Sequence, residues 1–234
     1  MSDAASRQAF TERLRAEGAR YHDRHPFHER MHRGELSRDE IRRWVLNRYY
    51  YQTRVPIKDA LILSKSSDPA FRRRWIHRIV DHDGTGEGDG GLALWLRLAE
   101  GVGLDRKRVE SLEDVLPAVR FACDAYVSLI REGTLLEAVA ASLTEFFAPD
   151  LMSKRIAAWE KHYPWVDGET IEYFRTRVTK ARRDSGEAIE YVCDHATTPT
   201  LEDACVRALR TKTEILWAML DGIAQSFSSV PTPA

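Results

Sequence analysis

Apolar residues recur three or four positions apart along almost the whole chain. This spacing places them on one face of an α-helix, and strand-like alternation between tight hairpin turns is absent, so the pattern predicts an all-α protein. Helix start signals divide the pattern, and the predicted caps are Ser37, Asp68, Thr134, Asp167 and Thr200. Ser37 and Thr134 are each followed three residues later by Glu, which is the spacing of a capping box. We predict helices at about 6–22, 37–64, 69–82, 89–102, 105–131, 134–163, 168–196 and 200–227.

Prolines and the chain end refine this picture. Pro56 is predicted to kink the second helix, and Pro117 and Pro149 are predicted to kink or divide two others, because proline lacks an N–H and clashes with the preceding turn. No linker or internal repeat interrupts residues 1–227, which predicts a single domain. Residues 228–234 are rich in Ser and Pro and are predicted to form a disordered tail or a linker.

Composition and charge argue against several classes of function. Hydrophobic residues make up 43% of the chain and charged residues 30%, which is enough for a substantial core. The 35 Lys and Arg are balanced by 36 Asp and Glu, whereas a nucleic-acid-binding protein normally carries a basic excess. No apolar run approaches the roughly 20 residues that span a bilayer, and the N-terminus lacks the apolar stretch of a secretory signal. The three cysteines, without CxxC spacing, fit a reduced cytoplasmic protein.

Four histidines lie close together in the chain, at His22, His25, His28 and His32. Spacings of three and four would place metal ligands on one helical face, but Pro26 is predicted to break the helix there. No Glu-x-x-His pair elsewhere completes a di-iron carboxylate site. We therefore predict no metal site and interpret the segment as a helix-to-loop junction with capping and surface histidines.

Two polar pairs fall at helical spacing. Arg78 and His82 share a face at the end of a helix, where the helix C-terminus would partly stabilise a histidine cation. The glycine-rich loop that follows is not predicted to bind phosphate. No strand precedes it, and its glycines have neither the Walker nor the Rossmann spacing. Tyr173 and Arg177 lie at the edge of an apolar stripe, which is typical both of snorkelling side chains and of residues that line a pocket between helices.

A third group of polar and aromatic residues lies where a helix interior is expected. The long second helix has polar and aromatic residues on more than one face, at Arg48, Tyr51 and Gln52. Lys58 follows on the same helix. Lys212 is a lone cation in an otherwise apolar helix. Each could be a solvated position, but together they indicate a polar interior cavity, which would suit a planar, polyanionic ligand.

Several of these segments resemble the pyrroloquinoline-quinone synthases. The similar segments run in order from about residue 10 to residue 227. They include His-Pro-Phe-His at 25–28, Asn-Arg-Tyr-Tyr-Tyr-Gln at 47–52, Arg-Ile-Val-Asp-His-Asp-Gly at 78–84, Ser-Leu-Thr-Glu at 142–145, His-Tyr-Pro-Trp at 162–165 and Tyr-Phe at 173–174. The resemblance implies a heme-oxygenase-like all-α fold, a compact bundle of about seven or eight helices that is shared with TenA-type thiaminases.

The resemblance also implies an activity. A multiply carboxylated bicyclic precursor closes its third ring, and eight-electron oxidation by O2 gives pyrroloquinoline quinone (PQQ) and hydrogen peroxide. No metal, flavin or other redox cofactor is implied, because an electron-rich quinoid can reduce O2 itself. The protein then has to supply carboxylate binding, proton transfer and a positively charged niche for reduced oxygen. The family further implies a homodimer in the bacterial cytoplasm, and it leaves room for a carrier domain or protein of the same pathway.

The resemblance implies that residues of this chain at the family's site positions have the family's roles. The residues matched to binding of carboxylates or quinone oxygens are Arg48, Lys58, Arg78, Arg155 and Lys212. The residues matched to the remaining cavity lining are His22, Gln52, Tyr126 and Glu145, of which His22 is counted with the catalytic groups. The oxygen-handling trio is matched by His82, Tyr173 and Arg177.

Three of these matches carry a more specific expectation. In the trio, His82 is the candidate base and proton shuttle, and Arg177 would stabilise superoxide or peroxide. Arg177 and Lys212 lie at or near apolar surface, so each is expected to need an anionic partner. That partner is either the ligand or an internal carboxylate in a salt bridge.

One position departs from the family, and other functions stay open. Many relatives carry a histidine at the position of Met152, and a thioether cannot move protons, so a non-catalytic protein that carries or sequesters the quinone remains an alternative. A TenA-like thiaminase would need a nucleophilic cysteine facing the pocket. Cys123 is the mid-helix candidate, although it also fits a small buried hydrophobe. A heme-degrading enzyme would need a proximal histidine, for which His22 or His28 would have to serve.

Overall fold

The computed structural model describes residues 3–228, with side chains from residue 4 to residue 227. Within this part the chain forms α-helices joined by short turns, and it contains no strand. The helices are α1 (Asp3–Ala16), α2 (Pro26–Arg33), α3 (Arg38–Ser64), α4 (Pro69–Trp75), α5 (His77–Asp83), α6 (Gly90–Gly101), α7 (Arg106–Ser111), α8 (Pro117–Glu132), α9 (Leu135–Ala141), α10 (Ala148–His162), α11 (Glu172–His195) and α12 (Pro199–Ser228). The 3-10 turns are Glu17–Arg20, His22–Arg24, Ser142–Phe146 and Gly168–Ile171. The all-α prediction is confirmed.

Several predicted helix starts are confirmed by their hydrogen bonds. The Ser37 hydroxyl accepts from the Glu40 N–H at 3.2 Å, and the Glu40 carboxylate accepts from the Ser37 N–H at 2.8 Å. Thr134 and the glutamate three residues after it form the same reciprocal capping box. The carboxylate of Asp68 caps α4, and that of Asp167 caps a 3-10 turn. These bonds satisfy amide donors that a helix start otherwise leaves unpaired.

The cap of the last helix was predicted two residues too late. Helix α12 begins at Pro199. The hydroxyl of Thr198, rather than that of Thr200, accepts from the backbone N–H of Leu201 at 3.3 Å. Pro199 therefore occupies a first-turn position where its missing N–H costs nothing.

The described helices outnumber the seven or eight that were predicted, for three reasons. Prolines divide two of the predicted helices, the predicted helix at 69–82 is interrupted at Ile76 into α4 and α5, and α2 was not predicted. Pro117 opens α8 and Pro149 lies in the first turn of α10, so the predicted divisions there are confirmed. No helix runs through Pro26, as predicted, but a helix that was not predicted, α2, begins there. Pro56 lies inside α3, which continues past it. The single-domain prediction for 1–227 stays a prediction, and 229–234 lie outside the described residues.

Two hydrophobic clusters form the core, and they meet near the middle of the fold. One is rich in aromatic rings, with Trp44 packed 5.5 Å from Trp95 between ring centroids. The other is largely aliphatic and contains Leu14 and Ile62. Tyr51 packs against both clusters. None of the described helices combines the length and apolarity that crossing a bilayer demands.

Helix α3 determines where polar groups enter this core. It is 27 residues long, and its buried positions include Asn47, Arg48, Gln52, Lys58 and Asp59. A helix buried along most of its length places such groups among apolar neighbours, where each polar group needs a partner. The polar interior that the sequence indicated therefore follows from α3, which contributes buried residues to both clusters.

Candidate active site

A cavity of about 70 Å³ lies where α3, α5, α10, α11, α12 and the 3-10 turn Ser142–Phe146 meet. Seven of the predicted site residues line it: Arg48, Gln52, Lys58, His82, Glu145, Tyr173 and Arg177. The lining is completed by Tyr21, Tyr51, Val55, Ser142, Thr144, Ala148, Met152 and Leu216. One water takes about 30 Å³ in the liquid, whereas small-molecule sites typically measure about 300–1,000 Å³. In this structure the cavity is therefore smaller than a typical small-molecule site.

Five predicted site residues lie behind this lining rather than in it: His22, Arg78, Tyr126, Arg155 and Lys212. Each is at most 2% exposed. Arg78 contacts the cavity residue Glu145, and Lys212 lies over the ring of the cavity residue Tyr51. The structure thus brings the predicted set into one region, with a lining and a layer behind it.

Buried positive charge dominates this region. Its cations are Arg48, Lys58, Arg78, Arg155, Arg177 and Lys212. The carboxylates paired with them are Asp59, Glu145 and Asp184. Burying a charge is costly unless an opposite charge or several hydrogen bonds compensate it. The excess of cations over carboxylates is the arrangement expected around an anionic ligand.

Glu145 links two of the arginines. Its carboxylate lies 2.7 Å from Nη1 of Arg78 and 3.5 Å from Nη2 of Arg177. Burial raises the pKa of Glu145, although Arg78 opposes this shift. Of the two partners that were open for Arg177, the structure therefore shows the internal salt bridge.

Asp184 is a site residue that the sequence interpretation missed. Its carboxylate lies 3.8 Å from Nη2 of Arg177, and its backbone carbonyl accepts a hydrogen bond from Arg78. Burial raises the pKa of Asp184, but Arg78 and Arg177 outweigh that effect and hold it below its usual value. Asp184 follows Arg177 by seven residues on α11, and this two-turn spacing on one helical face was the available signal.

Lys58 has a carboxylate partner next to it in the chain. Its Nζ lies 2.7 Å from Oδ1 of Asp59 and donates to the hydroxyl of Ser142 at 3.2 Å. Asp59 also accepts from the indole N–H of Trp75 at 2.9 Å. These contacts hold Lys58 at the cavity wall with its charge compensated.

Tyr173 and Gln52 connect two walls of the cavity. The phenol of Tyr173 donates to Oε1 of Gln52 at 2.7 Å. The Tyr173 ring packs edge-on against Trp95 at 4.7 Å between centroids. Burial raises the pKa of Tyr173, so the phenol keeps its proton at neutral pH. The edge position predicted for Tyr173 on its helix is thus a cavity-lining position.

His82 is held as a neutral imidazole. Its Nδ1 lies 3.1 Å from the carbonyl oxygen of Arg78, and since a carbonyl only accepts, Nδ1 carries the proton and Nε2 is free. Burial, assisted by the nearby Arg177, lowers the pKa of His82 to about 4. The expectation that the helix C-terminus would favour a cation here was wrong, because burial outweighs it. A neutral imidazole with a free nitrogen is suited to accept a proton.

Lys212 is buried without a carboxylate. It is fully inaccessible, and its Nζ has no hydrogen-bond partner in the part of the chain that the structure describes. The ammonium nitrogen lies 3.2 Å from the ring centroid of Tyr126 and 4.4 Å from that of Tyr51. Burial, with Arg48 nearby, lowers the pKa of Lys212 well below its ordinary value. Cation–π contacts are its main compensation in this structure.

The N-terminal histidines differ from the prediction in their exposure. His25 caps α2, as predicted, by accepting from the N–H of Phe27 at 3.1 Å. His22, His25 and His28 are at most 3% exposed, so the description of surface histidines was wrong for them. Neither ring nitrogen of His22 has a hydrogen-bond partner among residues 4–227.

The histidines near the N-terminus do not form a metal-ligand group. Within the described residues such a group occurs at His77, Asp184 and Glu187. Asp184 there already accepts from the guanidinium of Arg183 at 2.8 Å. A metal ion would have to displace this guanidinium. We therefore interpret His77, Asp184 and Glu187 as part of an ion-pair network.

Cys123 does not have the surroundings of a nucleophile. It is buried outside the cavity lining, with its Sγ 3.9 Å from the sulfur of Met219. Burial raises the pKa of its thiol to about 12. A thiol is reactive as the thiolate, so these surroundings argue against a thiaminase-type role.

Comparison with known proteins agrees with this geometry. Residues 11–222 match the TENA/THI-4/PQQC family. The chain belongs to the TENA/THI-4/PQQC family. It is 49% identical over 230 residues to a pyrroloquinoline-quinone synthase from Rhizobium rhizogenes, which covers 98% of this chain and 93% of that protein. The resemblance seen in the sequence is confirmed, as is the prediction of an enzyme of this family.

Two further comparisons concern the fold and the pathway. A structure from Shewanella denitrificans described as having a heme oxygenase-like fold superposes with a TM-score of 0.74 at 14% identity, covering 97% of this chain and 94% of that one. The predicted heme-oxygenase-like fold is therefore confirmed. A bifunctional coenzyme PQQ synthesis protein C/D from Methylorubrum extorquens is 50% identical over 211 residues, 90% of this chain and 57% of that protein.

Proposed function

We propose that this protein acts in PQQ biosynthesis and catalyses its final step, the ring closure of a carboxylated bicyclic precursor and its eight-electron oxidation by O2. The similar proteins named pyrroloquinoline-quinone synthase support the pathway. The observation that carries the reaction is the excess of buried cations around a cavity that is also lined by a neutral imidazole. A polycarboxylate would compensate that charge, and the imidazole would receive protons from the ring system.

The proposed roles follow from the contacts of each group. Three cations have no carboxylate partner within ion-pair distance among the described residues, and they are the most available to ligand carboxylates: Arg48, Arg155 and Lys212. His82 accepts a proton at Nε2. Arg177, one helical turn after Tyr173, supplies positive charge for reduced oxygen beside the substrate. Such fixed charges stabilise developing negative charge at little reorganisation cost.

We further propose that the reaction needs no resident redox cofactor or metal. The substrate supplies the electrons, O2 accepts them and the protein binds, orients and moves protons. The test is an aerobic assay with purified protein and the bicyclic precursor, followed by quinone absorbance and peroxide release. We expect turnover to persist after exhaustive chelation and to stop when O2 is removed. Activity that is lost on chelation and restored by iron would contradict the proposal.

A non-catalytic quinone carrier is the second candidate, and Met152 is the observation that favours it. Met152 lines the cavity at a position where the resemblance expects an imidazole, so one acid–base group is missing. A carrier would bind PQQ tightly without converting the precursor. The same assay separates the two functions, because a carrier gives a binding signal without quinone formation or peroxide.

The pathway context supports finer expectations about partners. The relative from Methylorubrum extorquens carries the C and D functions in one chain, which supports contact with a carrier domain or protein of the pathway. We also propose a homodimer in the bacterial cytoplasm, as the family resemblance implies. Sedimentation of the purified protein would show a species of twice the chain mass, and a monomer at working concentrations would contradict this.

A further inference from the structure

His28 lies behind the cavity wall and contacts a site arginine. Its side chain is 1% exposed, and its Nε2 lies 3.2 Å from Nη2 of Arg155. Its Nδ1 lies 2.9 Å from the carbonyl oxygen of His22. Because a carbonyl only accepts, Nδ1 carries the proton and Nε2 presents a lone pair to the guanidinium. His28 is thus fixed in one tautomer as an acceptor for Arg155.

Arg155 is a buried guanidinium without a counter-charge. It is 2% exposed, and no carboxylate of the described chain lies within ion-pair distance of it. It lies over the rings of Trp44 and Phe174, at 4.9 Å and 5.3 Å from their centroids. Burial, with Arg48 nearby, lowers the pKa of Arg155 to about 9, so the group is still charged at neutral pH.

Arg155 lies close to the ligand cavity. Its Nη1 is 3.9 Å from Sδ of Met152, which lines the cavity. Its Nε is buried without a hydrogen-bond partner in the part of the chain that the structure describes. The guanidinium therefore has unused donor capacity and uncompensated charge directly behind the wall.

We propose that His28 is a positioning residue that holds Arg155 through a neutral acceptor and so leaves its positive charge available to a carboxylate of the substrate. This rests on the proposed function. A neutral acceptor satisfies one N–H donor and fixes the orientation of the guanidinium. A carboxylate at the same place would fix the orientation equally but would cancel the charge. The choice of histidine over an acidic residue thus preserves affinity for an anionic ligand at some cost to the stability of the empty protein.

The first experiment needs no ligand. Thermal unfolding is measured for the full chain with His28→Gln, His28→Glu and His28→Leu. Glutamate supplies the missing counter-charge, so His28→Glu should unfold at the highest temperature of the three. His28→Leu, which leaves the guanidinium without an acceptor, should unfold at the lowest. A His28→Glu variant no more stable than His28→Leu would show that His28 acts by packing alone and would overturn the proposal.

The second experiment titrates the same variants with PQQ. His28→Gln keeps a neutral acceptor and should bind as the unsubstituted protein does. His28→Leu should bind roughly three- to tenfold more weakly, and His28→Glu roughly ten- to a hundredfold more weakly, following the strength of neutral and charge-assisted hydrogen bonds. His32→Gln, one turn further along α2, is the matched control and should leave affinity unchanged.

The two measurements together distinguish the outcomes. Higher stability with lower affinity in His28→Glu is the expected signature, since a purely structural role would move both in one direction. Equal PQQ affinity in His28→Glu and His28→Gln would overturn the inference that the charge is kept for the ligand. Absence of PQQ binding by the unsubstituted protein would overturn the proposed function and the ligand half of the inference. The order of the unfolding temperatures tests separately whether His28 holds Arg155 through a neutral acceptor.

Discussion

The phenol of Tyr173 on α11 donates a 2.7 Å hydrogen bond to the side-chain oxygen of Gln52 on α3, across 121 positions of sequence. Both groups are buried, and both line the cavity. This bond ties together the helix that carries the candidate oxygen-handling pair and the helix that carries most of the cavity's polar groups.

Tyr173→Phe should lower the free energy of unfolding by about 1–3 kcal/mol, because it leaves the Gln52 oxygen buried without a donor. A double-mutant cycle with Gln52→Leu isolates the pair, since the second substitution should cost less once the first is present. Urea unfolding of the four proteins measures this. Strictly additive losses would show that the bond contributes nothing to stability.

His82→Ala should reduce precursor turnover by about 10²–10⁴-fold, the usual range for removal of an acid–base group. PQQ affinity should change little, because binding depends on the arginines and lysines. Steady-state assays and PQQ titration measure the two effects. His195→Ala, at an exposed histidine bonded to the backbone alone, is the control. Unchanged turnover in His82→Ala would remove this imidazole from the mechanism.

Stability should fall as pH falls from about 6.5 to about 4, partly through His82. Its pKa is about 4 in the folded protein and near the ordinary 6.5 when unfolded, so the unfolded chain binds more protons in this window. The contribution reaches about 3 kcal/mol at the acid end. Chemical denaturation across this range should show a shallower decline for His82→Asn than for the unsubstituted protein. Equal slopes would mean that His82 is not held neutral.

Lys212→Met should leave the unfolding temperature of the empty protein unchanged or raise it, because it removes a buried cation that lacks a carboxylate partner. The rise in unfolding temperature on adding PQQ should shrink, since ligand stabilisation follows affinity. Arg177→Ala provides the contrast. It breaks contacts with Glu145 and Asp184 and should destabilise the empty protein. A Lys212→Met variant with lower stability and an unaltered PQQ shift would contradict the proposed binding role.

Met152→His should raise precursor turnover by about tenfold or more, because it adds an acid–base group to the cavity lining. The side chain already lines the cavity, so the new imidazole would face the substrate. Met152→Leu keeps the volume without adding a titratable group and should match the unsubstituted rate. Equal rates for the histidine and leucine variants would indicate that another group performs the acid–base role.

The sequence by itself determined the helical class and several helix starts. Helical period and capping are local, since a hydroxyl such as that of Ser37 bonds an amide three residues away. One helix was missed beside a proline. Pro26 does interrupt the helical pattern, but it also opens α2, because in the first turn of a helix its missing N–H costs nothing.

The site was only partly determined by the sequence. Matched positions gave the set of polar residues, and the tertiary structure then brought them into one buried region. Their charge states and partners depended on residues distant in the chain. Asp184 pairs with Arg177, burial rather than the helix end determines the protonation of His82, and His28 holds Arg155 across 127 positions. Desolvation and ion pairing depend on which side chains surround a group in space, and sequence spacing alone does not specify that.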